Sequence, residues 1–342
     1  MAEHSIQSTG KVALRNISPR AWQHPADAAA LAALERVPGL PELTRKLIGA
    51  TTEKSLFLLH LGSAVEVSER QFPRVNALYR TVCELLDAPE RPRLFVAQAP
   101  FLNAGEIGAD DPFITINSSA VDAFDDAELS AVLAHELGHC LSGHVLYKTL
   151  LWLLINIPFG MIRIPGANIA LTAIIAALAE WDRKSELSAD RAGALGCQDP
   201  AASNTALMKL AGGADLTQMN AGAFLEQARE YHDGGTMLDS VHKLLNLVWR
   251  SHPLPVARIS ELKSWVDAGD YQKIVGGDYV RRGEDSDEEL VERFRAARDR
   301  YREELKESSD PLAQAADKVV SVLENVGDQL KGVFDSFSRP RE

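Results

Sequence analysis

Apolar residues recur at helical spacing along most of this chain, with one short strand-like interval before its middle. The spacing predicts a helix over 25–37, ended by Pro38-Gly39-Leu40-Pro41. A helix and a second short element follow over 43–67, then a helix over 72–86 closed by Pro89 and Pro92. Residues 93–97 and 113–117 are short and β-prone, and Asn103-Ala104-Gly105 lies between them. Next, Leu129, Val132, Leu133, Leu137, Cys140 and Leu141 mark one face of a helix. Asp125 and Glu128 stand at its start with capping-box spacing.

The most apolar part comes afterwards. Residues 149–162 carry no charge, Arg163 and Pro165-Gly166 interrupt, and residues 164–179 again carry none. Each half is shorter than the ~20 residues that span a bilayer. The pattern predicts a helical hairpin over 147–180 with its turn near Arg163, packed in protein or associated with a membrane. Trp152 and Trp181 near its ends suit either setting. Further helices are expected over 179–195, 201–210, 221–231 and 237–249, with a short one ending near residue 266. Gly276-Gly277 and Gly283 mark a boundary, and a charged helix over 287–308 follows. In the tail, Leu312, Ala316, Val319, Leu323, Val326, Leu330, Val333 and Phe337 form a heptad seam suited to pairing with another chain, docking on the main domain or lying on a membrane. The expected organisation is an irregular segment over 1–25, a main domain over 26–283 and a helical tail over 284–342. The fold class is α+β, mainly α, with a small sheet beside the helix that begins near Asp125.

With 46% hydrophobic and 25% charged residues, the composition is that of a globular protein. The net charge of -12 argues against nucleic acid as a partner. Three scattered cysteines, Cys83, Cys140 and Cys197, form neither a disulfide framework nor a C-x-x-C site. The first 22 residues hold no apolar run of the signal-peptide kind, so a cytoplasmic protein is expected, with membrane association through 147–180 left open.

The chemistry concentrates at His135-Glu136-Leu137-Gly138-His139. On a helix, His135 and His139 lie about 40° apart and can offer two imidazole nitrogens to one metal ion. Glu136, turned by roughly 100°, is placed beside the ion's open position. Gly138 between the histidines would let another backbone approach closely. A catalytic zinc site needs a third protein ligand. Glu186 is the best candidate, with Asp190 at i+4 able to orient a ligand histidine, and His144, His232 and His242 compete. His144 falls about 180° round the helix from His135, so it is expected not to join the site.

Several stretches together resemble the HtpX-like zinc metallopeptidases, a family that includes CAAX prenyl endopeptidases and a mitochondrial quality-control protease. They are Asn103-Ala104 with the strand over 113–117, Asp126 through His139 with Gly143-His144, Glu186-Leu187-Ser188-Ala189-Asp190-Arg191, and His252-Pro253 with Arg258. The resemblance implies a zincin-like fold and one Zn²⁺ per chain. It implies that Glu186 is the third ligand and that Asp190 supports the ligands. It also implies that His252 and Arg258 contact substrate or stabilise the oxyanion, and that the strand at Asn103 and Ala104 holds substrate backbone as an added strand. The expected activity is a metalloendopeptidase acting on extended or unfolded protein segments, with Glu136 as general base. A chaperone-like or assembly module that keeps the zinc site is the alternative. Relatives with transmembrane helices before the motif differ from this chain, which has none there.

Overall fold

The computed structural model describes residues 10–35, 44, 48, 50–156, 167–233 and 254–284. The hairpin turn near Arg163, the helix expected over 237–249, His252, the charged helix over 287–308 and the heptad tail lie outside the described residues. Among the described ones, helices dominate and a four-stranded mixed sheet stands beside them, as the sequence implies.

Helix α1 (Pro25–Glu35) follows a largely irregular arm. Helix α2 (Ala50–Ser63) leads into β1 (Val65–Glu66), and α3 (Pro73–Leu85) follows. Strands β2 (Arg93–Ala97), β3 (Ala104–Ile107) and β4 (Phe113–Asn117) complete the sheet, whose order is β1-β2-β4-β3. Strands β2 and β4 pair in parallel, Leu94 against Ile114 and Val96 against Ile116. Antiparallel β1 and β3 flank them. The two central strands are apolar on both faces, as strands covered on both sides must be. Leu94, Val96, Ile114 and Ile116 join the main core, while Phe57 of α2 packs edge-on against Phe95 and Phe113 on the other face.

After the short α4 (Ser118–Ala123), which the apolar spacing did not reveal, comes α5 (Asp126–Leu141). Its start is a complete capping box: Asp125 accepts from the Ala127 and Glu128 amides, and Glu128 accepts from the Asp125 amide. Helices α6 (Val145–Asn156), α7 (Ala167–Cys197), α8 (Pro200–Gly212), α9 (Ala221–Asp233), α10 (Pro255–Asp267) and α11 (Asp270–Val275) follow.

One expectation changes here. The apolar residues from 167 to 179 and the acidic stretch around Glu186 form one 31-residue helix, α7, rather than two. Composition shifts near residue 179, but no Pro or Gly interrupts before Gly193, so helix propagation continues. Trp181 is fully buried inside the protein, one of the two settings its position allowed. It joins Tyr147, Leu150, Leu154, Ile174, Ile175 and Leu178, with Leu34 and Ile48, in a second apolar cluster. Trp152 stays exposed. No helix among the described residues is long and apolar enough to cross a membrane.

Helices α5 and α7 lie in close contact because small residues line their interface. A Cβ on Gly138 would meet the Ala192 Cβ at 2.5 Å, and one on Gly196 would meet the Ala134 Cβ at 2.4 Å. Both obstacles are fixed to helical backbone and cannot swing aside. Gly138→Ala is therefore expected to push the helices apart and lower stability by about 1–3 kcal/mol, the usual cost of overpacking. Urea unfolding measures this. A midpoint unchanged from wild type would mean that the interface tolerates the methyl group.

Candidate metal centre

The close α5–α7 contact brings two separate sequence motifs together. His135 and His139 on α5 face Glu186 on α7, and all three are buried. The His135 Nε2 and His139 Nε2 atoms are 3.2 Å apart. Glu186 places Oε2 at 3.4 Å from the first and Oε1 at 3.2 Å from the second. A tetrahedral ion with bonds of about 2.0–2.1 Å spaces its ligand atoms roughly 3.3 Å apart. The triangle therefore fits a single metal ion, and its two-nitrogen, one-carboxylate donor set suits zinc chemistry. Burial, aided by the Lys148 ammonium, holds the His139 ring down at about 3, so it stays a neutral donor.

The supports of the triangle are also in place. Asp190 Oδ1 lies 3.1 Å from His135 Nδ1, on the ring edge away from the donor nitrogen. Arg258 donates from Nε at 2.8 Å and from Nη2 at 2.6 Å to the Asp190 carboxylate, and its Nη1 is 2.9 Å from Glu186 Oε2. Burial works against the ionised Asp190, but Arg258 outweighs it and holds the carboxyl below its usual range. His135 is raised for the same kind of reason: burial opposes its charge, and hydrogen bonds to Asp190 and Glu186 overcome that.

Glu136 is buried and lines a cleft of about 420 Å³ together with Ala104, His135, Asp190 and Arg258. The rest of the wall is mainly apolar, with Val132, Ala206, Leu207 and Leu210. Burial, and after it the Glu106 carboxylate, push the Glu136 carboxyl well above the usual range. Ala104 and Glu106 share the buried face of β3, the last strand of the sheet among the described residues. Asn103 precedes that strand and accepts the Asn117 amide through its carbonyl.

Two residues at the site escaped the sequence reading, and a third was placed wrongly by it. Lys148 on α6 reaches Glu186 Oε1 at 2.8 Å and lies 3.4 Å from Glu106, from Asp182 and from His139 Nε2. Its signal was available: it is the one charged residue in the apolar α6. Glu106 is marked only by its alternation with Ala104. His144 is the third, and here the expectation is corrected. Helix α5 stops in a Schellman turn, with the Gly143 amide on the Cys140 carbonyl and the His144 amide on the His139 carbonyl. Gly143 adopts φ +73°, and helical angle counting ends there. His144 consequently folds back to put Nδ1 at 2.9 Å from His139 Nδ1.

Comparison with known proteins follows the same lines. The chain is 36% identical over 261 residues to the chloroplastic plastoglobule-localized metallopeptidase 48 of Arabidopsis thaliana, covering 74% of each. It is 26% identical over 171 residues to protease HtpX homolog 2 of Methanosarcina mazei, covering 43% of this chain and 58% of the relative. A protease HtpX homolog of Helicobacter pylori is 36% identical over 69 residues, or 19% of this chain and 22% of the relative. No solved structure matches. The Arabidopsis protein overturns the cytoplasmic placement read from the N-terminus, since that relative is chloroplastic and plastoglobule-localized. The physical reason is that lacking an apolar run excludes only a secretory signal, whereas organelle transit segments are amphipathic and carry no such run. The sequence model of peptidase family M48 matches residues 69–266, more than half of the chain and the whole stretch from β2 to Arg258, so this chain belongs to peptidase family M48 and is a metallopeptidase.

Proposed function

We propose that the chain is a zinc-dependent endopeptidase that cleaves extended or unfolded protein segments. The observation that carries this reading is the triangle of His135 Nε2, His139 Nε2 and a Glu186 oxygen beside the cleft that holds Glu136. His135, His139 and Glu186 would hold the ion. When bound, zinc supplies Lewis acidity at neutral pH. Glu136 takes the proton of the attacking water and hands it to the leaving amine, a general acid–base role suited to a carboxyl shifted upward by its surroundings. Asp190 fixes the His135 ring, and loss of such a support typically weakens metal binding about 10- to 100-fold. Arg258 has Nε and Nη2 on Asp190 and Nη1 beside Glu186, so its proposed help to the developing oxyanion would come from the positive charge it holds at the site. His252 keeps its proposed role on the resemblance alone.

Substrate backbone would add along β3 at Asn103 and Ala104, which favours segments with an accessible main chain. The Val132, Leu207 and Leu210 wall would take an apolar side chain next to the scissile bond. The test is digestion of one protein in folded and unfolded form, with chelator and zinc add-back, followed by cleavage-site profiling. Cleavage should favour the unfolded form, vanish with chelator, return with zinc and show apolar residues on one side of the cut. Zinc-loaded protein that cleaves nothing would support a binding module instead, and chelator-resistant cleavage would remove the metal from the mechanism.

A further inference from the structure

The N-terminal arm reaches the metal centre from outside the family-matched region. Asp27 on α1 is completely buried although it is a carboxylate. Its Oδ2 lies 3.1 Å from His144 Nε2 and accepts from Ser188 Oγ at 2.7 Å, while Oδ1 accepts from Trp181 Nε1 at 3.1 Å. His144 in turn places Nδ1 against His139 Nδ1 at 2.9 Å. The line therefore runs Asp27, His144, His139 and ends at the Nε2 atom of the metal triangle. Two further contacts hold the arm at this point. Trp22 Nε1 donates to Ser142 Oγ in the Schellman turn, and the His24 amide donates to Ser188 Oγ.

Proton placement along the line is fixed by its two ends. A His139 that binds metal through Nε2 carries its proton on Nδ1 and donates it to His144 Nδ1. His144 must then carry its own proton on Nε2, and that proton points at Asp27. The Asp27 carboxylate cannot donate, and its other hydrogen bonds come from a tryptophan N–H and a serine hydroxyl. Every donor finds an acceptor in only one tautomer arrangement. It is the carboxylate–histidine–metal arrangement lengthened by one imidazole.

We propose that Asp27 and His144 are positioning residues for the metal centre: together they hold the His139 ring in its metal-binding tautomer and orientation, making the N-terminal arm part of the site. This rests on the reading of His139 as a ligand. Asp27 lies outside residues 69–266, so the support comes from a segment that the family domain does not include.

The test uses the full chain. Zinc affinity is measured by chelator competition for wild type, Asp27→Asn, His144→Gln and the double variant, together with thermal unfolding of each metal-free protein. Each single variant should bind zinc about 10- to 100-fold more weakly. The double variant should be no worse than the weaker single one, since both act through the same ring. A merely structural role would lower the metal-free melting temperature and leave zinc affinity within threefold of wild type, which would overturn the proposal. Nitrogen-15 histidine spectra of the zinc-loaded wild type supply a readout independent of the variants, should these fail to fold. They should show His139 protonated at Nδ1 and His144 at Nε2, and a His144 proton on Nδ1 would overturn the proposal. Wild-type protein that takes up no zinc would sink the ligand reading and this one together.

Discussion

Glu136→Gln is expected to lose about 10²- to 10⁴-fold in kcat while keeping the metal content of the wild type. The change removes the proton-accepting group and little else. Glu136 is not among the three donors of the triangle, so the ligand set survives. Gln has the same length and shape, and the site is buried, so the cleft keeps its form. Stability should not fall. Glu136 sits against Glu106, and burial together with that neighbour disfavours its ionised form. A neutral amide removes the like-charge contact. Metal analysis, unfolding and kcat on one peptide separate the three quantities. A variant with full metal and wild-type turnover would end the general-base assignment.

Glu186→Ala is expected to lose most of the bound metal and to destabilise the metal-free protein as well. Glu186 is fully buried and serves four neighbours. It faces both histidines, lies 2.9 Å from Arg258 Nη1 and accepts Lys148 Nζ at 2.8 Å. Truncation removes one ligand and leaves two buried cations with one carboxylate fewer. Breaking a buried pair from one side typically costs about 3–5 kcal/mol. Arg258 retains Asp190, and Lys148 retains Glu106 and Asp182 at 3.4 Å, so the lower end of that range is expected. Glu186→Gln separates the two effects: it fills the same space and accepts one hydrogen bond, so stability should recover in part while metal binding stays weak. Metal content by mass spectrometry and urea unfolding with chelator present measure both. Full occupancy in Glu186→Ala would remove Glu186 from the ligand set.

These two effects differ in how far the sequence anticipated them. Glu136 could be placed from spacing, because a helix relates neighbouring residues by a fixed rotation. The capping box at Asp125 and Glu128 likewise follows from local order and is present. Gly138 as a point of close approach is also local in origin, and the Ala192 contact bears it out. Strands β2 and β4 were legible from their β-prone runs. Angle counting failed at His144, where Gly143 at φ +73° ends the helix and resets the direction of the chain. The helix-terminating glycine was visible, but the place to which it returned the ring was not.

By itself, then, the sequence determined the two histidines, the glutamate between them and the helix that carries them, because i to i+4 geometry needs no partner. It also put Glu186 forward as the best candidate for a third ligand, with Asp190 four residues on. Only the tertiary structure decided what meets those residues across space. Lys148 from α6, Glu106 from β3, Arg258 from α10 and Asp27 from α1 all converge on the α5–α7 pair. Each lies dozens to more than a hundred residues from at least one of its partners, as with Asp27 and His144 at a separation of 117. Such contacts depend on how helices and strands pack, and packing is set by the summed burial of many side chains rather than by any local spacing.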